Sequence, residues 1–590
     1  MDSIDEKGTF AFECACSEAA SALLYVSNKI QTETVIYMLR WLSSLTDQRP
    51  LGSPSGARKF VATLDRDLFG AAEKVSTLLR SFSIDADGSA DVNPAALLEL
   101  ESGVADLTAR LERDYLSASQ QAHSLRDRLW EAGYDWAMRF ADAHRMVLAS
   151  VPAAPEGKLA SAYARVAIGY FTFRAMAYRY RLYRHEEWIP GNWRELNAQF
   201  RRTCDLGLDH KTGEAVDGGH PNYPARAFMA LLLLRLGNAG SYLPAQTHTL
   251  ANKLYEASFD ARLTSRPAAD GGFVLDLSGS DGLTPRHSVP QGGHFLFCDT
   301  NNIFSRMTAW LDLAKSQSAG ANTTVGSGAA NPLLALRSAV LRIDPEFKPL
   351  ERASARNTDR GRVMAVYGVT RSASALGFDA NQLAATLGGA DYGYADAQEI
   401  QTLGLLREST MKRLRQDLPP EASRLGLQFW HLRDRSDTGF RCVMPNAPNA
   451  TIRLRDITVV SEESPSAGWQ VAMIVRLLKL PAGHSELGLQ VLTRDAEAIE
   501  LRTLRSRTGM YRDNDATLSS SQIFKALRLK GAFFGRPIMD TSWIMASADY
   551  NAGLVYETPG SSRRYEATTV ISEGSDWIWV QPTELLRQAS

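Results

Sequence analysis

The chain is predicted to be a multidomain α+β protein: an all-helical N-terminal half, a small antiparallel barrel or sandwich with a helical insertion, and a smaller C-terminal β module. Three observations predict this. Apolar residues recur at helical spacing from about 18 to 237, as in Leu23, Val26 and Ile30, then Val35, Leu39 and Leu42, later Leu129, Trp136 and Phe140. Beyond about 270 the spacing gives way to short apolar runs bounded by Gly and Pro, the pattern of strands joined by turns. And 590 residues are too many for a single hydrophobic core.

Taken in order, residues 1–240 read as an all-helical domain. Polar breaks at 47–55 and 85–93 serve as loops, and Gly237 is a stop for the last long helix. Residues 241–317 form a small mixed β/α module: the runs 271–277 and 294–298 are strands, and a helix follows with Ile303, Met307, Trp310 and Leu313 on one face. Residues 318–340 combine a Ser-, Gly- and Ala-rich connection with a lead-in helix. A β domain is expected over 341–505, with strands at 361–369, 426–432, 440–444, 452–460, 469–478 and 487–492 and an inserted helical stretch at 373–420. The final 506–590 stay β in texture, with runs at 543–546, 554–556 and 577–580.

Composition narrows the function. A net charge of -1 with 44% hydrophobic and 22% charged residues is that of an ordinary soluble protein with no general polyanion-binding surface, so no nucleic-acid polymer is expected as a partner. The five cysteines, Cys14, Cys16, Cys204, Cys298 and Cys442, are scattered and odd in number, which favours a reducing compartment. The longest apolar run, 228–234, is far short of a membrane span, and no secretory signal is evident, so a cytoplasmic location is expected. No metal-ligand spacing joins the histidines, and neither a nucleophile elbow nor a phosphate-binding glycine loop occurs, so no catalytic residue, metal or cofactor is assigned. The basic and aromatic stretch 174–184 reads as a helix packing its tyrosines into a bundle, and Asp276-x-Ser278 as a turn.

One pair of motifs spells out a ligand. Arg352 and Arg356 stand four apart, and Arg360 repeats the interval; guanidinium forks grip phosphate and the Hoogsteen edge of guanine bidentately. Downstream, Asp434-x-Ser436-x-x-Gly439 falls between two expected strands. There Asp434 offers an acceptor for guanine N1 and N2, Ser436 a hydroxyl, and Gly439 a backbone conformation closed to other residues. This RxxxR plus DxSxxG combination resembles the PilZ domain family of bacterial cyclic-di-GMP receptors over about 341–505, with 373–420 as an insertion between the motifs. The resemblance implies a PilZ-like antiparallel β-barrel whose ligand, cyclic-di-GMP, is held by Arg352, Arg356, Arg360, Asp434, Ser436 and Gly439. It implies a non-enzymatic receptor that passes the signal to an unidentified protein partner or to the helical half. The alternative is a ligand-free scaffold in which the same fold is a protein-protein interaction module.

Overall fold

The computed structural model describes residues 50–82, 92–118, 123–152, 155–212, 222–238, 242–267, 272–286, 294–320, 332–346, 361–379, 420–445, 452–462, 468–480, 484–504, 523–530, 532–533, 536–537, 542–551, 554–561, 563–574 and 576–585. The chain divides into two compact units, one of residues 1–115, 131–173 and 206–223, the other of 116–130, 174–205 and 224–590.

The first unit is helical. Its helices Pro54–Ala62, Leu68–Arg80 and Pro94–Gly103 begin where short polar side chains replace the missing intrahelical acceptors. Ser53 Oγ accepts from Gly56 N at 3.1 Å, Asp67 Oδ2 from Gly70 N at 2.6 Å and Asn93 Oδ1 from Ala95 N at 2.9 Å. Trp136 and Phe140 fill the interior, Phe140 stacks on Phe173 at 4.5 Å, and the Trp136 indole donates to Thr108 Oγ1 at 3.1 Å. His144 is fully buried, 3.2 Å from Glu101 Oε2, and it fits because position 169 is glycine: a Cβ there would lie 2.4 Å from the imidazole.

The second unit opens with helices and ends in strands. On the helix Gly157–Tyr183, the segment from Arg174 onward packs as the sequence indicates: Tyr178 and Tyr180 are buried, and Tyr178 meets Trp188 and Trp193 at 4.9 and 5.5 Å. The helix Pro224–Gly237 is buried around nearly its whole circumference, which accounts for its apolar run, and it contacts the helices Pro244–Ala257 and Pro332–Ile343. No described helix is long and apolar enough to cross a membrane. Strands β1 (Arg262–Thr264), β2 (Phe273–Asp276), β3 (Thr284–Pro285) and β4 (Phe295–Asp299) form a sheet ordered β1-β4-β2-β3, followed by the helix Asn301–Gly320. Asp276-x-Ser278 is a turn, its carboxylate accepting from Ser278 N at 2.8 Å.

Two closed antiparallel barrels complete the unit. The first is built from β5 (Arg362–Tyr367), β6 (Gln428–Ser436), β7 (Gly439–Met444), β8 (Ile457–Glu462), β9 (Gln470–Lys479) and β10 (Ser485–Thr493), closed in the order β5-β6-β7-β10-β9-β8. The second uses β11 (Asp495–Leu504), β12 (Ile523–Lys530), β15 (Ser542–Ala546), β16 (Val555–Glu557), β17 (Arg564–Glu573) and β18 (Trp577–Leu585), closed as β11-β12-β15-β18-β17-β16. A small pair, β13 (Ala532–Phe533) with β14 (Arg536–Pro537), branches between β12 and β15. Counted within each barrel, both orders read first, second, third, sixth, fifth, fourth. The C-terminal β text therefore closes into a full barrel with the topology of its predecessor.

Alternation along the strands explains the first barrel. Val363, Ala365, Trp430, Leu432, Phe440, Cys442, Leu487 and Leu489 point inward and fill it. Met364, Val366, Phe429, Val459 and Val471 point outward and are buried as well, because the helix Val369–Ala375 and the tryptophans of β18 cover them. That makes β5 and β8 buried on both faces. The indole of Trp577 donates to Arg455 O at 2.7 Å and that of Trp469 to Phe378 O at 3.0 Å, tying this shared core at its rims. The helices Val369–Ala375 and Pro420–Leu425 bracket the insertion; residues 380–419 lie outside the described residues.

Candidate ligand-binding site

β6 runs on through Ser436, four residues beyond the end expected from the sequence, and it carries a register shift between Leu432 and Asp434. The extra residue is Arg433. Without it, strict alternation would turn Asp434 inward beside Leu432; the bulge instead puts Asp434 opposite Arg441 and Ser436 opposite Gly439, on the outer wall. Three motif residues, Asp434, Ser436 and Gly439, thus share one face of the barrel. Arg352, Arg356 and Arg360 lie outside the described residues.

The registers of four adjacent strands define rows across this wall. One row runs Asp434 on β6, Arg441 on β7, Gly488 on β10 and Arg476 on β9; the next runs Ser436, Gly439 and Gln490. Arg441 and Arg476 therefore stand two strands apart, roughly 10 Å, with no side chain between them. Arg441 Nη2 donates to Glu486 Oε2 at 2.7 Å, and its Nη1 lies 3.7 Å from Asp434 Oδ2. These partners, the Glu486 hydrogen bond first, hold the Arg441 guanidinium above its ordinary pKa. The Arg476 side chain is exposed and, among the described residues, makes no ion pair or hydrogen bond. Beside them Arg435 pairs with Glu462, and Arg494 Nη2 donates to Asp437 O at 3.0 Å across the turn.

The two glycines of the wall act by closeness. Gly439 is not among the described residues with left-handed φ, which corrects the conformational role read from sequence. A Cβ on Gly439 would sit 2.2 Å from Leu489 O, so a side chain would push β7 off β10; one on Gly488 would sit 2.9 Å from the Arg476 Cβ. The turn is fastened by Val491 N donating to Thr438 O at 3.0 Å and by Ser436 Oγ donating to Gly439 O at 3.4 Å.

On the neighbouring row Arg362, His431, Val443 and Glu486 follow one another across four strands. His431 is 6% exposed, and burial, then the charges of Arg362, Arg433 and His484, push its pKa down to about 4, so it is neutral at physiological pH. Arg362 lies 4.9 Å over the Phe429 ring. The His431 Nε2 and Glu486 Oε1 atoms are buried and have no hydrogen-bond partner among the described residues. Sequence reasoning missed Arg441, Arg476, Gly488, Glu486 and His431, whose association is a matter of register between distant strands. The one local signal was a glycine inside an apolar strand, Leu487-Gly488-Leu489, which marks a close approach.

Chemically, the wall offers a carboxylate and a hydroxyl at one end and two guanidinium groups flanking an open backbone at the other, suited to a ligand that carries both donors and an anion. Among the described residues, no group of three or more His, Cys, Asp or Glu is arranged to hold a metal ion. In comparison with known proteins, residues 56–268 match the family described as Cyclic-di-GMP receptor FimW, N-terminal domain. That match ends upstream of both barrels. No curated protein and no solved structure matches the chain.

Proposed function

We propose that the chain is a cytoplasmic, non-enzymatic receptor for cyclic-di-GMP that holds the dinucleotide on the outer wall of a PilZ-like first barrel. The observation that carries this reading is the bulge at Arg433, which brings Asp434 and Ser436 onto one wall with Arg441, Gly488 and Arg476. The family match over residues 56–268 to a cyclic-di-GMP receptor supports the same ligand from an independent part of the chain. A phosphodiester seats over Gly488 between the two guanidinium groups, and the Asp434 carboxylate accepts from guanine N1 and N2. That exchange replaces the long Asp434–Arg441 contact and leaves Arg441 on Glu486. Arg352, Arg356 and Arg360, just ahead of β5 in sequence, supply further guanidinium groups to the ligand. Ligand binding passes the signal to a protein partner or to the helical half.

Calorimetry with cyclic-di-GMP tests the assignment. A charged hydrogen bond contributes about 1.5–3 kcal/mol, so Arg476→Ala, Arg352→Ala and Arg356→Ala each weaken binding by roughly ten- to a hundredfold. Unchanged affinity in all three defeats it.

A scaffold role is favoured for the second barrel. It repeats the strand order of the first, yet it has no RxxxR ahead of β11 and no DxSxxG; its nearest approach, Asp540-x-Ser542, has Met545 where the motif has glycine. Substitutions on that barrel's exposed faces leave ligand affinity unchanged.

A further inference from the structure

A cavity of about 750 Å³ opens on the small β1–β4 sheet, within the range of pockets that hold nucleotide-sized ligands, and its wall includes Phe259, Arg262, Arg266, Arg286 and Phe297. We propose that it binds a purine nucleotide phosphate at a site separate from the barrel wall. The Arg262 and Arg266 side chains are exposed and, among the described residues, make no hydrogen bond or ion pair, so both guanidinium groups face the cavity as donors for an anion. The carboxylates of the wall are largely committed. Asp260 is gripped by Arg306 at 2.6 and 3.2 Å, and Asp299 accepts from Asn301 N and Nδ2 at 2.9 and 2.8 Å. The helix Asn301–Gly320 starts at the same place, and Asn302 of its first turn lines the cavity, adding the positive end of a helix dipole.

An apolar platform accompanies the cations. Phe273 and Phe297 are buried beneath the opening, while Phe259 is partly exposed and stands on the Arg226 guanidinium, which also lies 4.6 Å over the Tyr255 ring. Arg226 is 2% exposed, so the Phe259 ring is fixed from behind and presents a rigid edge for a flat base. Cys298 lines the cavity but takes no part in chemistry there, since burial pushes its thiol pKa up to about 12.

The test titrates the full chain by calorimetry with GMP and, separately, with cyclic-di-GMP, in the wild type, in Arg352→Ala/Arg356→Ala and in Arg262→Ala/Arg266→Ala. Both cavity arginines are exposed, so their removal leaves the melting temperature unchanged. The Arg352→Ala/Arg356→Ala chain still binds one of the probes, and Arg262→Ala/Arg266→Ala weakens that binding at least tenfold. The probe preferred shows whether the cavity takes a mononucleotide or a second dinucleotide. Loss of all binding in Arg352→Ala/Arg356→Ala, or no effect of Arg262→Ala/Arg266→Ala on either probe, overturns the cavity site and leaves the barrel assignment standing. Binding sensitive to Arg262 and Arg266 but not to Arg352 and Arg356 does the reverse.

Discussion

Replacing Gly439 with alanine perturbs the turn of the DxSxxG motif and nothing else that is polar. The added methyl would lie 2.2 Å from Leu489 O and 3.3 Å from its carbonyl carbon, about 1 Å inside ordinary van der Waals contact. Neither neighbour is a flexible side chain, so β7 and β10 must part where Gly439 faces Gln490. Overpacking of this kind costs about 1–3 kcal/mol, and losing the Val491 N to Thr438 O hydrogen bond about 1 kcal/mol more. A local destabilisation of about 3 kcal/mol accelerates exchange of the Val491 amide on the order of a hundredfold. Hydrogen exchange resolved to that amide is the assay, with the β12–β15 ladder of the second barrel as internal reference. Cyclic-di-GMP affinity falls in parallel because Asp434 and Ser436 lose their support. If the Val491 amide exchanges at its wild-type rate in Gly439→Ala, the close-approach reasoning is wrong.

Trp577→Ala removes a buried indole that both spans the core shared by the barrels and donates to Arg455 O, so it costs about 3–5 kcal/mol and lowers the unfolding midpoints of both barrels together in urea titrations. Gly169→Ala drives a methyl to 2.4 Å from the His144 ring and destabilises the first unit by about 1–3 kcal/mol, read from thermal melting of the full chain. His431 stays neutral in the fold down to about pH 4, whereas the unfolded chain takes up its proton near pH 6.5. Stability is therefore lost as pH falls from about 6.5 to 4, by up to about 3 kcal/mol, and His431→Gln flattens that part of the pH profile. A variant whose stability falls with acid as steeply as the wild type contradicts the burial of a neutral imidazole.

The order of helices before strands was legible because hydrophobic period changes from 3.6 to 2 along the chain, and that change is local. The tyrosines near 178 could be read as the buried face of a helix for the same reason. Closure of residues 495–585 into a barrel was not legible. It depends on β18 returning to β15 and β16 to β11, pairings fixed by long-range packing and not by any neighbour in sequence. The candidate site was half legible. Asp434-x-Ser436-x-x-Gly439 announces a turn, but the bulge that turns its carboxylate outward leaves no mark beyond one extra arginine, and Arg441, Gly488 and Arg476 meet it only through register. Gly439 was singled out for its backbone freedom, and the fold uses its missing side chain instead.

The most direct measurement is amide hydrogen exchange of the full chain with and without saturating cyclic-di-GMP. Binding on the barrel wall slows exchange across residues 433–441 on β6 and β7 and at 476 and 488 on β9 and β10. Tight binding that leaves all of those amides unchanged contradicts a ligand site on this wall.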